Sequence, residues 1–241
     1  TAAMPIVFSR HEADRWDYLL VKEAGTASLS FVTLSGGGAD LITYDGATLV
    51  ADGPTNRPYV QNLTVRDVTI TDSAGYGVLM ARHSAFGSGS TGLTISGAGA
   101  TDAAHPSPLR IDAQALSSVP DGSYTGNAAD RIEVDPFVKI SEDTTINDRG
   151  VPYWISNYTA LRVERETGDT GPGPKLTVGA GVTLAFEPAD NAGFRICGSG
   201  STPASSPTCA PPTSMGTSSA ATTRAPGSTS RRPSTRPWRP S

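Results

Sequence analysis

The chain has 241 residues, enough for one domain with a buried core. With 37% hydrophobic and 17% charged residues, 26 glycines and 19 prolines, much of it must serve turns and stacked small side chains rather than long helices. The formal net charge of −4 understates the acidity of the body, because Arg224, Arg231, Arg232, Arg236 and Arg239 follow Cys197 and no acidic residue follows Asp190; an acidic body argues against a nucleic-acid-binding surface.

Taken in order, the chain opens directly on a strand pattern, Ile6-Val7-Phe8 after Pro5, with neither an initiator Met nor a signal peptide. That opening reads as a piece of a longer array. A polar turn leads to Tyr18-Leu19-Leu20-Val21, and Leu29, Phe31, Val32 and Leu34 make a further strand, stopped by Ser35-Gly36-Gly37-Gly38. Residues 41–50 read as a strand and turn, and 52–58 as a loop from their Pro and Gly content.

Residues 62–80, NLTVRDVTITDSAGYGVLM, carry the clearest pattern. Leu63, Val65, Val68 and Ile70 alternate with polar residues, and the phase slips by one at Arg66-Asp67. Residues 72–75 are turn chemistry, and residues 76–80 form another short strand. A strand, a polar turn and a strand with no room for a helix suit one coil of a β-solenoid. Leu93 and Ile95 are the next inward pair, and residues 113–119 are the one stretch suited to a helical turn. Short apolar strands then recur at residues 131–134, 151–155, 160–163, 175–178, 182–186 and 193–196. No 3.6-residue pattern lasts three turns, and no apolar run approaches the length of a membrane span. The expectation is an all-β, right-handed parallel β-helix over residues 1–197, with Leu63, Val65, Val68, Ile70, Leu93 and Ile95 facing inward. An antiparallel sandwich is the runner-up, disfavoured by the scarcity of two-residue hairpin turns.

Residues 198–241 contain no Leu, Ile, Val, Phe or Tyr and are dominated by Ser, Thr, Pro, Ala and Arg. Such a segment buries too little apolar surface to offset its ordering entropy and is expected to be a disordered tail. A Pro/Ser/Thr linker accounts for this composition, and so does an out-of-frame reading of a GC-rich gene after Gly198. Cys197 and Cys209 define no framework and read as incidental thiols or one local disulfide.

Several fragments together resemble the secreted or cell-surface right-handed parallel β-helix repeat proteins of bacteria, within the wider pectate-lyase-like superfamily. They are TAAMPIVF (1–8), LSFVTLSGGG (29–38), residues 63–79, GNAADRIEV (126–134) and LTVGAGVTLAFEPADNAGF (176–194). The resemblance implies an extracellular or cell-surface location and a non-enzymatic role as a structural scaffold or in adhesion, with polysaccharide or cell-surface material as partner. The alternative it implies is a polysaccharide lyase or glycoside hydrolase, which uses clustered carboxylates, with or without calcium, and a basic residue. Asp67, Asp72, Arg82 and His83, with Arg66 beside them, are the nearest set to that pattern, although the hydrolases' Asp-Asp pair and Gly-His-Gly turn are absent. Otherwise no catalytic, cofactor or metal residue is assigned.

Residues 35–42, SGGGADLI, nearly match a glycine-rich calcium repeat, but a single copy has no neighbour with which to share ions and reads as a turn. His11, His83 and His105 show no metal spacing. Asn62 and Asn157 head glycosylation sequons. Trp16, Tyr18, Tyr153, Trp154 and Tyr158 are candidates for stacking on sugar rings or for core packing. The loops at 52–58, 104–108 and 166–174 are the candidate binding surfaces. An enzyme of this kind differs from a scaffold in one feature: three or more polar groups converging in a groove.

Overall fold

A computed structural model describes residues 4–56, 58–155, 160–166, 172–188 and 193–196. The chain separates into two units, Thr1–Cys209 and Ala210–Ser241, and every described residue belongs to the first. The expected boundary at residue 197, the tail, both cysteines, Asn157 and Tyr158 lie outside the described residues.

Seventeen short strands and one 3-10 helix make up the described chain. They are β1 (Ile6–Ser9), β2 (Leu19–Lys22), β3 (Ala27–Ser35), β4 (Leu49–Asp52), β5 (Val60–Thr71), β6 (Val78–Ala81), β7 (Ser84–Phe86), β8 (Thr91–Ser96) and β9 (Leu109–Asp112). The helix, Ala113–Ser118, follows β9, at the one stretch expected to turn. Then come β10 (Asp121–Ser123), β11 (Ile132–Asp135), β12 (Thr144–Ile146), β13 (Tyr153–Ile155), β14 (Leu161–Val163), β15 (Leu176–Val178), β16 (Leu184–Phe186) and β17 (Phe194–Ile196).

Between these strands every pairing is parallel, which removes the antiparallel sandwich. One sheet runs β1-β3-β5-β8-β10, with β7 also on β5; a second runs β16-β13-β11-β9-β6-β4-β2, and β12-β15 and β14-β17 form two further two-stranded sheets. From β2 to β6 the chain visits the two sheets by turns, each visit adding a strand beside the previous one. Parallel neighbours require such crossovers, and here turns rather than helices supply them. The arrangement is solenoid-like: successive coils stack, and equivalent residues form columns.

The columns are the core. In the second sheet Leu49, Val78, Leu109, Ile132, Tyr153 and Leu184 stand in register, beside Ala51, Met80, Ile111, Val134, Ile155 and Phe186. In the first, Val32, Val68 and Leu93 stack, as do Leu34, Ile70 and Ile95. All six residues expected to face inward are at 0% exposure. Each such side chain contributes about 1.5–3 kcal/mol relative to an exposed one.

The phase slip at Arg66-Asp67 has a structural cause. Phe31 and Asp67 have φ of 56° and 51°, and Gly92 has φ of 66°. All three fall at positions skipped by the ladder, so they form a column of left-handed bends across β3, β5 and β8. Each bend re-aims its strand and inverts the alternation beyond it.

Two segments differ from expectation. Residues 41 and 42 are exposed turn, with Ile42 at 93%, and the strand lies later, at β4. Asp52 therefore ends a strand rather than opening a loop. The strands β7, β10 and β12 lie outside the expected set, because their sequences Ser-Ala-Phe, Asp-Gly-Ser and Thr-Thr-Ile carry little apolar alternation.

Candidate functional site

The four residues Asp67, Asp72, Arg82 and His83 are not gathered into one site. Asp67 sits exposed in the left-handed bend of β5. Asp72 follows the end of β5, where Arg10 and Arg15 bridge it at 3.1 and 2.7 Å. Arg15 also donates to the Asp72 carbonyl and, at 3.3 Å, to that of Gly37. A guanidinium thus ties the SGGG turn to its neighbour, using a carbonyl of the stretch that resembled a calcium loop. Arg82 and His83 follow β6 in the other sheet.

Of the four, Arg82 leads to a site. The outward face of the second sheet carries an open cleft of about 270 Å³, lined by residues including Tyr44, Asp45, Asp52, Arg82, Arg110, Asp112 and Asp135. Of its four carboxylates, Asp45 comes from the turn before β4. The other three come from strand ends with one shared pattern: Leu49-Val50-Ala51-Asp52, Leu109-Arg110-Ile111-Asp112 and Ile132-Glu133-Val134-Asp135. In each, the first and third residues enter the core columns. The second and fourth therefore point outward, since strand residues alternate faces. Asp112 and Asp135 are direct neighbours across β9 and β11, and Asp52 pairs with Ala81 of β6. This threefold apolar-x-apolar-Asp signature is the signal that sequence reading missed.

Each acid has distinct surroundings. Asp52 is 1% exposed and is gripped by a two-point guanidinium fork from Arg82, with Tyr44 Oη donating at 3.4 Å. Arg82 itself has φ of 52°, a strained conformation for arginine that this fork helps to hold. Asp135 receives Arg110 on Oδ2 at 3.0 Å and the Phe137 amide on Oδ1 at 3.0 Å. Arg110 reaches across to Asp45 at 3.4 Å.

Asp112 is 6% exposed, and among the described residues its one side-chain donor is Tyr59 Oη, at 3.2 Å from Oδ2. Burial, seconded by the neighbouring Asp135, raises its pKa to about 7, against the smaller lowering by Tyr59 and Arg110. His83 touches this site at one remove: its ring packs edge-on to Tyr59 at 4.9 Å while Nδ1 lies 3.0 Å from the Pro54 carbonyl.

Beside the cleft a second network supports Arg110. Tyr76 Oη donates to Glu133 at 2.9 Å, and the Tyr76 ring lies 5.2 Å from that of His105. His105 stands between Asp102, 2.6 Å from Nδ1, and Asp45, 3.7 Å from Nε2.

The remaining described candidates are engaged within the chain. Tyr153 is buried and donates to the Asn147 carbonyl at 2.8 Å. Trp16 donates to the Ser35 carbonyl at 2.9 Å, Tyr18 packs edge-on to Tyr44, and Arg131 covers the Trp154 ring at 4.5 Å. Asn62 is fully buried, so its sequon is closed to modification in the folded chain. The donor set does not fit the calcium that the resemblance allowed. Among the described residues no three His, Cys, Asp or Glu groups are placed to hold a metal ion, and the carboxylates at the cleft are engaged by guanidinium, hydroxyl and amide donors. No described helix is long and apolar enough to cross a membrane. Compared with models of protein families, with curated proteins and with solved structures, the chain matches none of them.

Proposed function

We propose that this chain is a right-handed parallel β-helix of the secreted or cell-surface, pectate-lyase-like kind, and that its cleft hydrolyses a glycosidic bond. What favours the enzyme alternative over the scaffold expectation is a set of polar groups lining one groove, a different set from Asp67, Asp72, Arg82 and His83. One observation carries the reading: Asp112 and Asp135 are neighbours, yet one is a buried carboxyl raised to about 7 and the other an ion-paired carboxylate. A buried carboxyl that holds its proton beside an ion-paired carboxyl is what acid–base cleavage of a glycoside needs.

On this reading Asp112 is the acid. It gives its proton to the bridging oxygen as the bond to the anomeric carbon breaks, and Asp135 accepts a proton from the attacking water. Arg110 and the Phe137 amide hold Asp135 in place, so they are positioning groups. Tyr59 orients Asp112 by donating its hydroxyl to Oδ2.

The test is reducing-end release by the full chain from a panel of neutral, amino and acidic polysaccharides. Replacing Asp112 or Asp135 by Asn should abolish turnover, with a loss of about a thousandfold or more, while circular dichroism stays that of the parent. The parent rate should fall about tenfold per pH unit above 7, as Asp112 loses its proton. No turnover by the parent on any member of the panel would return the scaffold reading to first place.

A further inference from the structure

Resting on the glycan-cleaving reading, we propose that the cleft selects by charge: it refuses carboxylated glycans and favours amine-bearing ones over their neutral counterparts. Four carboxyl groups line it, Asp45, Asp52, Asp112 and Asp135, against two guanidiniums, Arg82 and Arg110. Both guanidiniums are already committed. Arg82 forks onto Asp52, and Arg110 spans Asp45 and Asp135. Among the described residues a uronate entering here meets no uncommitted cation, and its charge falls beside carboxylates that repel it.

An ammonium meets the reverse situation. Asp45 and Asp135 share the one Arg110 guanidinium, at 3.4 and 3.0 Å, so that trio keeps a net negative charge at the cleft. A ligand ammonium gains from the half-neutralised Asp45 and Asp135 carboxylates and leaves the proton on Asp112 in place. Arg82 is half-exposed at the cleft but bound to a carboxylate with 1% side-chain exposure, so releasing it to greet an anion would strand a buried charge.

The experiment is a glycan array of matched triples, each backbone printed as neutral, amino and carboxylated sugar, probed with the full chain at pH 6 in low and high salt. Affinities of the leading hits are then measured by calorimetry. We expect the amino member of a recognised backbone to bind at least tenfold more tightly than the neutral one, and the carboxylated member at least tenfold more weakly. Half a molar salt should compress both gaps, since the selection is electrostatic. Asp45→Asn should narrow the amine preference. Carboxylated members binding as well as or better than their neutral partners would overturn charge selection while leaving glycan recognition intact. Binding to no backbone in any form would overturn both readings.

Discussion

At the scale of single residues, Asp112 is an unfavourable choice for stability and a favourable one for chemistry. Its carboxyl moves from 3.8 to about 7 on folding, so the folded chain holds the proton more tightly than the unfolded chain does. Stability is therefore full below pH 4 as far as this group is concerned, and it is lost as pH rises from about 4 to about 7. At roughly 1.4 kcal/mol per unit, the full swing is on the order of 4 kcal/mol. Asp112→Asn, which cannot ionise, should flatten that slope: equal to the parent at pH 4.5 and more stable at pH 8 by urea denaturation. Parallel stability curves for the two proteins would show that Asp112 does not carry the shift. Arg82 has the opposite role. Truncating it to Met leaves Asp52 buried with Tyr44 as its one remaining side-chain donor among the described residues, and should destabilise by about 2 kcal/mol, below the fully buried case because Arg82 is half-exposed. Asp52→Asn in the same chain should recover most of that loss.

At the scale of elements, the bend column shows what alternation reveals and what it hides. The inward register was legible because period-2 patterning and β-branched side chains leave few other ways to bury residues 63–70. Even the bend left a trace, as the slip at Arg66-Asp67. Its partners were not legible: Phe31 gives no left-handed signal, and Gly92 looks like any turn glycine until its register with Asp67 is known. The acid row was hidden for a related reason. Its members fall on strands separated by turns of unequal length, so no fixed spacing joins them, and the repeated strand-end Asp becomes visible only once β4, β9 and β11 share one sheet. The bend column has a test. A Cβ on Gly92 would lie 2.6 Å from Asp67 Oδ1 and 3.1 Å from the Asp67 backbone nitrogen, on a backbone with φ of 66°. Gly92→Ala should therefore cost about 1–3 kcal/mol. Gly89→Ala, equally left-handed but with open space around it, should cost less. Equal losses would mean that backbone strain alone matters and that the stacking of bends does not.

At the scale of the whole unit, a stack of coils holds its stability unevenly. Each coil packs on its neighbours, so a coil with a partner on both sides keeps what a coil at an end must share with solvent. The columns through β4, β5, β6, β8 and β9 are closed on both sides, and Val68, Ile70, Val78, Leu93 and Leu109 are wholly buried there. By contrast Ile6, Val7 and Phe8 of β1 are 58%, 58% and 44% exposed, and Val178 of β15 and Ile196 of β17 are 45% and 71% exposed. The cleft draws three of its four carboxylates, Asp52, Asp112 and Asp135, from β4, β9 and β11, in the protected part of the stack, which suits a site whose acids must stay in fixed relation. Amide hydrogen exchange followed by mass spectrometry should then show protection highest across β5, β6, β8 and β9 and falling toward β1 on one side and β15–β17 on the other. Low concentrations of urea should steepen that gradient by melting the outer coils first, while the peptides carrying Asp52 and Asp112 hold their protection until the central coils give way. Uniform protection from β1 to β17, lost in a single step, would mean that the unit unfolds as one cooperative block and that the end coils are held by something other than the packing described.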